Sequence, residues 1–184
     1  MLHQTHAYSV PSDDLRSAPT TNETFASLTL AEVEEASGEL HRRVAIALRL
    51  IGEQRADERG ELGTHADSPR QIAAALAASL ELAASTLGAV AADVAPTSGR
   101  IDRHPTTIAA VMYAAPTISA LLARLEQDRR LVASTARTLE LRLDEQHATP
   151  WGTLTLRGMI TEVALTEPAR SAQELERRAS VDSI

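Results

Sequence analysis

Glu162, Thr166 and Arg170 stand four residues apart in "TEVALTEPAR", and on a helix that spacing stacks them in one ladder. Thr166 and Arg170 also continue the face of Met159 and Val163, which the helical period turns inward. Placed there, Arg170 can fork onto the carboxylate or phosphate of a ligand. The plainer alternative is an arginine paired with Glu162 or Glu167 on a face that turns to solvent. His41 shares a flank with Val44 and Leu48 and so faces the interior, either toward a ligand or as a rim histidine satisfied by a neighbour. Tyr113 and Trp151 are two of only four aromatic residues. Both fall at helix boundaries, where a large ring lines a pocket or caps the core. Glu81 sits among alanines, and the expectation for it is the exposed edge of an amphipathic helix.

Other chemistry is excluded by composition. The chain has no cysteine, and all 18 basic residues are arginine. Thiolate nucleophiles, disulfides, cysteine-bound metals and Schiff-base lysines are therefore out of reach. Away from His3 and His6, which are expected in solvent, the histidines are His41, His65, His104 and His147. No two of these four stand three or four apart, and no Glu-x-x-His pair appears, so no metal and no cofactor is expected. No glycine-rich phosphate loop is present either. A formal charge of −7 without a basic block argues against nucleic acid. The sequence shows neither a membrane span nor a signal peptide, so no membrane partner and a cytoplasmic location are expected.

These residues need a scaffold, and the composition points to helices: 33 alanines, 43% apolar residues and 2% aromatics. Residues 1–26, rich in Ser, Thr, Pro and Asp, read as a flexible N-terminal arm, and 27–184 as one bundle domain. Thr29 and Glu32 form a capping box for a first helix, with Val33, Leu40, Val44, Leu48 and Ile51 on one stripe, fading near Asp57 to Gly60. Ser68, Pro69 and Gln71 open a second helix that stops before Pro96. A short helix follows His104-Pro105 as far as about Ala115. A long one runs from Thr117 to about Gln146. "TLTLR" alternates like a strand, but a lone strand has no partner, so residues from Pro150 or Trp151 onward are read as helix, kinked near Ala164 by Pro168. Four main helices with short connectors make an all-α fold, an antiparallel four-helix bundle with a short extra helix.

"WGTLTLRGMITEVALTEPARSAQELERR" resembles the last helix of the DinB-like metal-binding bundle family. Gly152, Leu154, Thr155, Leu156, Arg157 and Gln173 match that family's frame, and "SPRQIAAALAASLE" is a weaker match to the helix that supplies its first histidine. The resemblance implies a bundle with a metal site, but the positions aligned with the metal histidines hold Ala75, Thr166 and Arg170. Alanine cannot ligate, and arginine stays protonated and repels a divalent cation. The metal-dependent thiol chemistry of the family therefore does not carry over.

Two functions follow as expectations. The first is a metal-free DinB-like bundle that binds a small molecule between its helices, with Arg170, Thr166, Glu162, His41, Trp151 and Tyr113 around the ligand. As an enzyme of bacterial small-molecule metabolism it would have acid–base and positioning catalysis available, and little else. The second is a non-catalytic interaction or assembly protein. In it, small-residue faces such as Ala73, Ala77, Ala84 and Ala91 pack against a partner or a second copy as a homodimer.

Overall fold

The computed structural model describes residues 28–59 and 67–180. The expected arm, residues 1–26, and His65 lie outside them. Helix α1 spans Leu30–Ile51, and its capping box closes in both directions: the Glu32 amide donates to Thr29 Oγ1 at 3.3 Å, and the Thr29 amide donates to Glu32 Oε2 at 2.8 Å. The helix ends sooner than expected because Gly52 takes φ 75°, a left-handed conformation open to glycine and awkward for other residues. Val33, Val44, Leu48 and Ile51 are buried as the stripe requires, while Leu40 is only partly covered.

Helix α2, Pro69–Ala91, starts at the Ser68 cap with its own closed box. It is the central helix, packed mainly against α4 and α3. Ala73, Ala74, Ala77 and Ala83 are wholly buried, and such small side chains let neighbouring backbones come close. It is also long and apolar enough to cross a membrane, although 72% of its apolar window is covered by the other helices. The sequence reading missed this because alanine is only mildly apolar.

Helices α3, Pro105–Ala114, and α4, Ile118–Thr138, meet at a corner of 110°. Arg70 ties that corner to the α1–α2 connection. It donates to Asp57 at 3.0 Å, to Glu53 at 2.9 Å and to the Pro116 carbonyl, while Glu53 accepts the Ile118 amide.

The expected long helix stops at Thr138, and a two-stranded antiparallel hairpin follows. Strand β1, Gln146–Thr149, pairs with β2, Gly152–Thr155, in the register Gln146 to Thr155 and Thr149 to Gly152. The alternation in "TLTLR" was thus a true strand signal. Its partner, "QHAT", was hidden because it carries no apolar alternation of its own. Thr155 then caps α5, Leu156–Thr161, by accepting the Gly158 amide at 3.0 Å.

The last helix is interrupted by a π-helical turn, Glu162–Thr166, before α6, Glu167–Ser180. The Glu167 amide reaches back five residues to the Glu162 carbonyl. Pro168 has no amide hydrogen to give the Ala164 carbonyl, so the regular ladder fails where the proline was expected to disturb it. Helix α1 packs against α6 and α4, which completes an all-α bundle of four main helices with α3 as the short extra one.

Candidate functional site

The π turn decides which residues of the last helix look inward. An extra residue in one turn advances the helix by a position, so the buried face passes from Met159 and Val163 to Glu167, Pro168, Ala172 and Leu175. Thr166 is buried at the turn, and its hydroxyl has no hydrogen-bond partner among the described residues. Arg170 is carried outside: its side chain is 74% exposed, 3.7 Å from Glu162. Of the two alternatives for Arg170, the inward face with Thr166 does not form and the solvent-side pair with Glu162 does. Tyr113 is 90% exposed on α3, which neither caps the core nor joins it to the other candidates.

Glu167 is brought in, and a polar cluster assembles on it. Its carboxylate accepts from Ser79 of α2, from Arg100 at 2.7 Å and from the Trp151 indole N–H at 3.3 Å. Arg103 lies 3.1 Å away. Asp102, wholly buried, accepts two bonds from Arg100, at 2.8 and 2.7 Å. The Arg100 guanidinium also lies over the Trp151 ring, 4.8 Å from its centre. Each member comes from a different local device. Arg100, Asp102 and Arg103 lie on or beside the 3-10 turn Ile101–Arg103, Trp151 is in the hairpin turn, and Glu167 follows the π break. Two carboxylates face two arginines, so the cluster is neutral as a whole. Ser79 donates to Glu167 but is wholly buried, so its hydroxyl is out of reach of a substrate in this conformation. Sequence reasoning singled out only Trp151 here. The Glu167-Pro168 step was the available signal, because a proline inside a helix marks where the phase can change.

His41 does face the interior. Its Nδ1–H donates to the Ser37 carbonyl at 2.8 Å, which leaves Nε2 a bare acceptor, buried and without a partner among the described residues. Burial, more than any other cause, holds its pKa below the ordinary histidine value, so the ring is neutral. The opposing charges of Arg129 and Glu126 act on the same ring.

Between α1 and α4 a narrow crevice runs into the bundle; it measures about 400 Å³ with the solvent at its mouth included, and about 20 Å³ inside. Val33, Val132, Ala133 and Ala136 line its walls, and Leu80, Ile160 and Ala164 close its inner end. Arg129, Arg137 and Glu34 stand among its polar lining, with Arg129 held by Glu126 at 2.8 Å.

The metal implied by the family resemblance does not fit. Ala75 is buried and has no donor atom, Thr166 offers one neutral hydroxyl, and Arg170 points to solvent. Among the described residues, no group of three or more His, Cys, Asp or Glu could hold a metal ion.

No protein-family model and no curated protein sequence matches the chain. A protein of known crystal structure from Streptococcus pneumoniae is similar in shape, with a TM-score of 0.64 at 13% identity over 85% of this chain and 93% of that one. At that identity the likeness establishes the fold alone.

Proposed function

We propose that the protein binds a small, partly apolar anionic molecule in the crevice between α1 and α4. The observation that carries this reading is the apolar slot reaching from the surface to the centre of the bundle, with arginines in its lining. In this conformation the slot itself holds only about 20 Å³, so a ligand must widen it by moving the side chains between α1 and α4. Arg129 and Arg137, now paired with Glu126 and Glu34, would exchange those partners for a ligand carboxylate, and the small alanines of α4 make that wall the one an alkyl body could press against. The DinB-like resemblance belongs with this reading: a metal-free bundle working on small molecules in bacterial cytoplasm, with its ligand held by side chains.

Octanoate is a suitable probe. Titrated into the full chain, it is expected to shift the methyl resonances of Val33, Val132 and Ile160. Ala133→Phe, which fills the slot, is expected to remove those shifts. Unchanged shifts in the parent, or binding undiminished in the filled variant, would sink the proposal.

A second reading, an assembly protein, has its own support. Ile46 and Leu50 are 50% and 71% exposed on α1, beside a groove that Ala47 and Ala179 help to line. Light scattering distinguishes the two: a dimer that Leu50→Glu dissociates favours assembly.

A further inference from the structure

Away from the crevice and the Glu167 cluster, two carboxylates share a second surface. Glu81 of α2 and Asp128 of α4 line an open groove whose other wall is the α3–α4 corner, with Ala115, Ala120 and Ala123. Arg124 holds Glu81 through its Nε at 2.6 Å and also through Nη2. The same Nε is 3.9 Å from Asp128 Oδ2, beyond hydrogen-bond reach. Asp128 is only 7% exposed, and that oxygen is buried with no hydrogen-bond partner among the described residues. When Asp128 is ionised this buried acceptor is left bare, which is costly, and Gln127 on the same groove does not reach it; when Asp128 is protonated, its proton is shared with Glu81.

We propose that this groove binds a primary ammonium group, held between the carboxylates of Asp128 and Glu81. An ammonium brings the hydrogen-bond donors that Asp128 lacks, and the alanine walls accept a short alkyl chain without crowding. A divalent metal fits less well, because two carboxylates are too few ligands and Arg124 already claims one of them.

Charge accounting agrees. Desolvation first, then the neighbouring Glu81 charge and the hydrogen bond that a protonated Asp128 makes to Glu81, raise the Asp128 pKa to about 7, against the opposing pull of Arg124. The charged groups acting on it are thus Glu81 from α2 and Arg124 from its own helix. The α3–α4 corner contributes only alanines to the groove lining. With Asp128 protonated, the trio of Asp128, Glu81 and Arg124 is neutral. An arriving ammonium displaces the proton to solvent and keeps it neutral. Binding is therefore proton-linked: it tightens as pH rises toward the Asp128 pKa and levels off above it.

Calorimetric titration of the full chain with butylammonium, in buffers of different ionisation heat, tests this. Expected are binding at pH 8, about tenfold weaker affinity for each pH unit well below the Asp128 pKa, and release of close to one proton there. Asp128→Asn should lower the affinity at pH 8 at least tenfold and abolish the proton release. Glu81→Gln, on the more exposed partner, should also weaken binding and serves if the Asp128 variant fails to fold. No binding at pH 8 with butylammonium in the tens of millimolar overturns the proposal. So does binding that both variants leave unchanged, or affinity independent of pH.

Discussion

The Glu167 cluster and the Glu81–Asp128 groove both set carboxylates against arginine, and they differ in how completely those carboxylates are satisfied. Glu167 and Asp102 face Arg100 and Arg103, one cation for each anion, with Ser79 and the Trp151 indole taking up further acceptor sites. The groove has two carboxylates for one arginine, and Asp128 keeps a bare oxygen. A buried charge is tolerable when paired and hydrogen-bonded, and it otherwise takes up a proton. The first region is therefore a clamp joining the α2–α3 connector, the hairpin turn and the π break. The second is left able to titrate or to take a ligand.

The contrast is tested most severely at Glu167. Glu167→Ala should destabilise the fold by about 2–3 kcal/mol, since it removes the acceptor of the buried Ser79 hydroxyl and of the Trp151 indole, while Arg100 keeps Asp102. Urea unfolding measures this, and a loss under about 1 kcal/mol would remove the clamp from the account.

Asp128→Asn should act in the opposite sense, with a gain that grows across a defined pH window. The folded-state pKa of Asp128, about 7, lies above the ordinary 3.8. Its folding contribution is thus fully present below about 4, and is lost as pH rises toward 7. Asparagine cannot ionise, so the variant should gain stability over the parent between pH 4 and 7, with a level difference above. Unfolding curves at pH 4, 6 and 8 would show it, and a difference independent of pH would contradict the assigned titration.

Trp151→Phe should cost about 1 kcal/mol, through loss of the indole hydrogen bond to Glu167 and a weaker ring beneath Arg100. Arg170→Ala should change stability by less than about 1 kcal/mol and leave octanoate binding untouched, because its 74% exposed side chain reaches only Glu162, in a solvated pair. Weakened octanoate binding in that variant would return Arg170 to the ligand site.

Local rules were legible in the residues. The Thr29–Glu32 and Ser68–Gln71 boxes place two helix starts because each is complete within four residues. The His104-Pro105 and Thr117 starts, the apolar stripes of α1 and α2, and the disturbance before Pro168 are local in the same way. The hairpin was half visible: β2 alternates, but only pairing with "QHAT" makes it a strand, and pairing is not written in either segment alone.

The candidate site lay beyond local rules. Counting by threes and fours carries Met159 and Val163 on to Arg170, and one extra residue in the Glu162–Thr166 turn exchanges Arg170 for Glu167. That exchange depends on what Glu167 meets: Ser79, 88 positions earlier, and Arg100, 67 earlier. By itself the sequence determined an all-α chain with specified helix starts, no thiol or lysine chemistry, and inward faces wherever the helices stay regular, because caps and periodicity act over a few residues. Only the tertiary structure decided which carboxylates are buried, which are paired and which oxygen is left bare. Burial and charge balance are set by segments that meet across the fold.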